Sequence, residues 1–154
     1  MSRVQLALRV PDLAASIAFY AKLFGTEPAK LRDGYANFVV TEPPLKLVLV
    51  EGTAGEATSL DHLGVEVETT EAVHAATARL AEAGMATVEE NDTTCCYALQ
   101  DKVWVHGPGQ EPWEVYVVKA DADSLARHQG SVCCDTSVTT DTAAGESVAA
   151  GGCC

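Results

Sequence analysis

The sequence predicts an α+β domain made of two βαβββ modules whose strands form one curved mixed sheet around a cavity, followed by a flexible C-terminal tail. Three observations predict it. One order of strand-like and helix-like segments occurs twice. The strands that open and close the two stretches match. The composition then changes abruptly after Lys119.

The first stretch opens with VQLALRV (4–10), which alternates as a strand does. Asp12 is placed to cap a helix in PDLAASIAFYAKLFG (11–25). Its apolar residues Leu13, Ile17, Phe19, Tyr20, Leu23 and Phe24 recur at helical spacing, and Gly25 is placed to end it. YANFVV (35–40) and LKLVLVE (45–51) read as strands, with Pro43 and Pro44 as the break between them. The second stretch repeats the plan. DHLGVEV (61–67) is strand-like, and a helix is expected from Thr69 or Thr70 to Gly84. TCCYALQ (94–100), KVWVHG (102–107) and WEVYVV (113–118) read as further strands, with a turn at GPGQEP (107–112). Each stretch thus reads β-α-β-β, with one further strand expected. PPLKLVLVE (43–51) and EPWEVYVVK (111–119) match as closing strands. Gln5 and His62 each stand second in their opening strands, an offset of 57 residues.

The length of 154 residues suits one compact domain (1–119), and 47% hydrophobic residues suffice for its core. Residues 120–154 are rich in Ala, Gly, Ser, Thr and Asp. Such a segment buries too little apolar surface to offset its ordering entropy, so a flexible tail is expected. The net charge of −12 disfavours nucleic acid and anionic lipid as partners. No apolar run is long enough for a membrane span, and MSRVQLALRVPDL does not have the pattern of a secretory signal. A cytoplasmic protein with reduced thiols is the expectation, as a monomer or homodimer.

All six cysteines stand in adjacent pairs: Cys95–Cys96, Cys133–Cys134 and Cys153–Cys154. Neighbouring Cα atoms lie about 3.8 Å apart, below the roughly 4.4–6.8 Å usual for a disulfide. In a reducing compartment such a pair stays as two thiols, which can converge on one soft atom. Gln5, His62 and Glu114 form a second constellation. Each lies on a strand that opens or closes a module, so the three side chains can meet inside the cavity. An imidazole, a carboxylate and an amide oxygen give three donors and leave open positions, close to the triad that suits Fe(II). Taken singly, a strand histidine is an ordinary hydrogen-bonded core residue. Glu114 says more, because a carboxylate between Trp113 and Val115 needs a partner. His106 beside the GPG turn is placed near the cavity mouth, His74 on a helix surface and His128 in the tail. Tyr35, Tyr97, Trp104 and Trp113 either line the cavity or fill the core. VEENDTT (88–94) reads as a solvated, mobile loop that closes over the cavity.

Paired modules with donors on their outer strands resemble the vicinal oxygen chelate superfamily, which holds glyoxalase I, extradiol dioxygenases and fosfomycin resistance proteins. VQLALRVPDLAASIAFYAKLFGTEPAK, LDHLGVEV, TTCCYALQDKVWV and GPGQEPWEVYVV are similar to a narrower group, the organoarsenical C–As lyases and the cadmium-induced proteins close to them. The resemblance covers nearly all of residues 1–119. It implies a non-haem Fe(II)-dependent dioxygenase that splits the carbon–arsenic bond of trivalent organoarsenicals and releases arsenite, with O₂ as co-substrate. It also implies that Gln5, His62 and Glu114 hold the iron, and that Cys95 and Cys96, with Tyr97 beside them, hold the arsenic. Extradiol relatives use two histidines and a glutamate, so Gln5 is a departure that weakens metal affinity. Two readings rival this one. A non-enzymatic cadmium- or arsenic-binding protein needs the thiols but not the triad. Another glyoxalase-type enzyme needs the triad but not the thiols. The pairs at Cys133–Cys134 and Cys153–Cys154 either capture arsenic for Cys95 and Cys96 or serve as spare sites.

Overall fold

A computed structural model describes residues 1–123. Ten elements follow one another: β1 (Arg3–Val10), α1 (Leu13–Phe24), β2 (Lys30–Arg32), β3 (Tyr35–Val40), β4 (Leu45–Glu51), β5 (Ser59–Glu66), α2 (Thr70–Glu82), β6 (Val88–Cys95), β7 (Ala98–His106) and β8 (Pro112–Asp121). This is βαβββ twice. The strands form one curled eight-stranded sheet in the order β2-β3-β4-β1-β5-β8-β7-β6. The opening strand of each module pairs in parallel with its closing strand, and the two modules join where β1 runs antiparallel to β5.

Both helices start at the expected caps. Asp12 Oδ1 accepts from the Ala15 amide at 2.9 Å, and Thr69 Oγ1 accepts from the Ala72 amide at 3.2 Å. Gly25 ends α1 with φ of 62°, a left-handed conformation that glycine adopts without a Cβ clash. Strand alternation then divides the side chains. Val10, Ala36, Phe38, Leu47 and Leu49 form one cluster under α1, and Val73, Leu80, Val103, Val105 and Val117 form another with α2. Their neighbours along the same strands point to the opposite face and line the inside of the curl.

Three segments differ from the sequence expectation. Residues 88–94 are not a mobile loop but most of β6, an edge strand paired antiparallel to β7. Polar residues suit an edge, where they discourage pairing with other chains, so polarity misled here. The EEND stretch carries a bulge at Asn91–Asp92, and the Asp92 amide donates to the buried Asp101 carboxylate at 2.8 Å. TCCYALQ is likewise not one strand, because the chain reverses at Cys96–Tyr97 between β6 and β7. β8 also runs through Ala120 and Asp121, past the boundary expected at Lys119. The remaining tail, with His128, Cys133, Cys134, Cys153 and Cys154, lies outside the described residues.

Candidate metal and thiol site

Three strands build the first half of the site. Gln5 on β1 pairs in register with Gly64 on β5, and Gly64 pairs with Glu114 on β8. Gln5 and Glu114 therefore flank a residue with no side chain and can reach each other across the middle strand. His62 lies two positions before Gly64 and so shares its face. Gln5 Nε2 donates to Glu114 Oε1 at 2.8 Å and lies 2.9 Å from His62 Nε2, while His62 Nε2 and Glu114 Oε1 are 3.4 Å apart. All three residues are buried.

A Cβ on Gly64 would stand 3.2 Å from Gln5 Cβ, Glu114 Cγ and Tyr116 Cε1. Two of those atoms belong to the triad. Gly64→Ala is expected to keep the fold, at a cost of about 1–3 kcal/mol for overpacking. It should weaken divalent-ion affinity by roughly tenfold through displaced donors. A metal titration of the variant checks this; an unchanged affinity would show that the donors do not need the gap.

The surroundings fix charge and orientation. Asp61 Oδ1 pairs with His62 Nδ1 at 2.6 Å, and Asp61 Oδ2 is held by Arg9 Nε at 2.7 Å, which leaves His62 Nε2 to face the cavity. Burial opposes a charged His62, yet the Asp61 and Glu114 carboxylates raise its pKa to about 9. Burial likewise opposes ionisation of Glu114, but Lys102 and His62 hold its pKa down at about 2. Lys102 Nζ lies 2.7 Å from Glu114 Oε2. Only Oε1 of that carboxylate is therefore turned to Gln5 and His62.

The thiols form the second half. Cys96 and Tyr97 have φ of 54° and 62°, which marks a two-residue type I′ hairpin turn between β6 and β7. Such turns favour Asn and Gly; each bulkier residue there costs on the order of 1 kcal/mol. Packing holds the turn. Tyr97 is buried against Tyr35, with ring centroids 5.4 Å apart. Its carbonyl accepts from Lys30 Nζ at 3.2 Å and from the Ala122 amide at 3.0 Å. Lys30 also pairs with Asp121. The turn of the second module is thus fastened to β2 and β3 of the first. Cys95 Sγ and Cys96 Sγ lie 3.2 Å apart, two thiols outside any disulfide and within reach of one ligand. A soft atom bound to both at about 2.3 Å, a usual zinc–sulfur length, would subtend about 90°.

Thiols and triad line the same cavity of about 210 Å³, with Lys46, Asn37 and Gln100 on its polar walls. Tyr35 lines it as well, whereas Tyr97 packs behind Tyr35 and Trp104 sets its ring edgewise against His62 at 5.6 Å. Trp113 packs with the α2 cluster. His74 is exposed on α2. His106 is exposed at the end of β7 and is not part of the cavity wall, contrary to its expected place near the mouth. Sequence reasoning missed Gly64, Lys102, Tyr116 and Glu66. Alternation along KVWV and WEVYVV puts Lys102, Glu114 and Tyr116 on the cavity face, and that was the available signal.

The donors fit a divalent ion. Among the described residues no set of three His, Cys, Asp or Glu gathers to hold a metal, so an ion held by His62 and Glu114 would need Gln5 as its third side-chain donor. Neighbouring ligands of a six-coordinate ion with bonds of about 2.1 Å stand about 3 Å apart, and the Gln5, His62 and Glu114 contacts span 2.8–3.4 Å.

The family model described as "Glyoxalase/Bleomycin resistance protein/Dioxygenase superfamily" matches residues 3–115. The chain belongs to this superfamily. Within it, the chain is 72% identical to a trivalent organoarsenical cleaving enzyme of Thermomonospora curvata, over 87% of this chain and 89% of the relative. It is 56% identical to the cadmium-induced protein CadI of Mycobacterium tuberculosis, over 90% of this chain and 96% of the relative. The superfamily fold is seen in an extradiol ring-cleaving dioxygenase from B. fuscum, with TM-score 0.56 and 25% identity. The match covers 80% of this chain and 34% of that longer one.

Proposed function

We propose that this member of the superfamily is an Fe(II)- and O₂-dependent dioxygenase of the cytoplasm that cleaves the carbon–arsenic bond of trivalent organoarsenicals and releases arsenite. One observation carries the reading: a two-thiol chelate and a Gln–His–Glu donor set line one cavity. A trivalent monoalkyl or monoaryl arsenical has two exchangeable hydroxyls. Cys95 and Cys96 displace both, forming two S–As bonds and releasing two waters. The organic group then has a fixed direction relative to the triad, which converts a collision into an oriented encounter. Gln5, His62 and Glu114 would hold iron, which when bound supplies redox chemistry toward O₂ that thiols lack. Asp61 keeps His62 Nε2 turned to the cavity, and Lys102 keeps Glu114 ionised.

The deciding experiment incubates Fe(II)-loaded protein with trivalent methylarsenic without oxygen and then admits air. Arsenite is expected only after air enters. Release that needs neither iron nor oxygen would sink the reading. The CadI likeness and the thiols favour a second reading, a soft-ion binding protein. It predicts tight thiol binding with no arsenite release under any condition.

The proton on His62 gives a pH signature. With its pKa raised to about 9, His62 is protonated at neutral pH in the ion-free protein, while Glu114, held near 2, is already ionised. A divalent ion must displace that proton. Affinity is expected to rise by up to about tenfold per pH unit from pH 6 toward 9 and then level off. Metal titrations at several pH values check the slope; a flat profile would remove His62 as a ligand.

A further inference from the structure

Gln100 carries an oxygen that nothing in the fold serves. The residue is 4% exposed and lines the cavity that holds the thiols and the triad. It is clamped within the sheet, paired with Thr93 on β6 and with Val118 on β8. Its Nε2 donates to the Cys95 carbonyl at 3.4 Å, which sets the amide one way round. Its Oε1 is buried and has no hydrogen-bond partner among the described residues. Other polar groups around the cavity are taken. Lys30 is bonded to the Tyr97 carbonyl and Asp121, Lys46 to Tyr116 and Glu66, Lys102 to Glu114, and Asn37 Nδ2 to Tyr35. Arg3 Nε is also without a partner, and so does not reach Gln100. A buried acceptor left empty is costly, and a ligand that brings it a donor removes that cost.

The chemistry of the chelate decides where such a donor can come from. A trivalent arsenical arrives with two hydroxyls. Once Cys95 and Cys96 have displaced both, neither the arsenic nor the two sulfurs carries an O–H or N–H. The only donor left on the bound molecule is one on its organic group. A methyl group has none and leaves most of the cavity of about 210 Å³ to water. An unsubstituted phenyl ring fills more of it but has no donor either. A ring amino or hydroxyl group does. Gln100 is bonded to the carbonyl of Cys95, so its side chain stands beside the turn that holds the arsenic. From this geometry we infer that Gln100 is a specificity-determining residue, whose Oε1 accepts a hydrogen bond from an amino or hydroxyl substituent on the ring of an aryl arsenical. The inference rests on the proposed function and adds which organic groups the site prefers. Discrimination of this kind is effective because a ligand without the donor leaves the buried oxygen unpaired. A ring substituent that can only accept gains nothing from Gln100.

The test titrates the ion-free full chain without oxygen, so that binding is read apart from cleavage. The probes are the ortho-, meta- and para-amino derivatives of trivalent phenylarsenic and their dimethylamino counterparts. The dimethylamino compounds keep the electron-donating nitrogen but have no N–H. At least one amino isomer is expected to bind about fivefold or more tightly than its counterpart, the net worth of one hydrogen bond. In Gln100→Leu that ratio is expected to fall below about twofold. The substitution also removes the bond to the Cys95 carbonyl, but this shifts both members of a pair alike and cancels in the ratio. Gln100→Met repeats the measurement should the leucine variant not fold. Equal affinities within every pair in the parent would overturn the inference. So would a ratio that survives in the Gln100 variants, since bulk alone would then explain it. In both cases the thiol site itself stands. Cys96→Ser separates the two failures: if it binds every probe as tightly as the parent does, the arsenic is not held by two thiols, and the proposed function fails together with the inference.

Discussion

His62→Ala is expected to abolish arsenite release while trivalent arsenic still binds at Cys95 and Cys96. In the proposed site the imidazole is one of three donors, and its loss would exceed the roughly 10–100-fold that follows from losing only a ligand's hydrogen-bond partner. The substitution is also clean. Asp61 keeps its bond to Arg9 at 2.7 Å, so no carboxylate is left unpaired. Glu114→Ala is expected to be equally inactive but less informative. It removes the carboxylate that lies 2.7 Å from the ammonium of Lys102, which is itself 2% exposed. Breaking a buried pair from one side costs about 3–5 kcal/mol, so iron loss and partial unfolding would mix. Glu114→Gln avoids much of that cost. Iron content, arsenic content and arsenite release, measured on the same samples, separate the effects. Activity within twofold of the parent for His62→Ala would remove it from the site.

Cys95→Ser and Cys96→Ser are each expected to lose most turnover at low substrate, with iron content unchanged. Each single thiolate can still take arsenic, but the second bond is what fixes its direction. Closing a chelate within one turn typically strengthens binding by about 10²–10⁴-fold, and a serine hydroxyl is too hard a donor to replace the second sulfur. The two positions differ in a useful way. Cys95 is buried at the end of β6, whereas Cys96 is half-exposed in the turn. If access matters, Cys96→Ser slows capture more than Cys95→Ser does. Either variant retaining full turnover at low substrate would defeat the two-thiol account.

Much of this was legible in the sequence for physical reasons. Gln5 and His62 stood out because a repeat aligned them, and Glu114 because a carboxylate in an apolar strand needs a partner. The adjacent cysteines advertised themselves by a spacing unsuited to a disulfide. What stayed hidden depended on the third dimension. Lys102 in KVWV looks like the wet face of a strand, yet the curl of the sheet closes over it. Tyr116 looks like core, yet its hydroxyl is bonded to Gln5 and Glu66. The β6 edge looked like a loop because its polar residues are what an edge requires. The turn at Cys96–Tyr97 escaped notice because neither residue is the Asn or Gly that ordinarily marks it. The packing of Tyr97 on Tyr35, with the bonds of its carbonyl to Lys30 and the Ala122 amide, explains why the chain reverses there.

The join between β1 and β5 has a consequence for how the molecule holds together. Gln5 comes from one module, and His62 and Glu114 come from the other, so an ion bound to all three is a rivet through the seam. Neither half owns the site. An ion that binds only the assembled protein stabilises it by about 2.7 kcal/mol at a free concentration a hundred times its dissociation constant. That free energy acts at the one interface where the two halves meet strand to strand. On the proposed reading, loading the ion would also be a late event of assembly, and withholding it would loosen the protein along this line before it loosened either half.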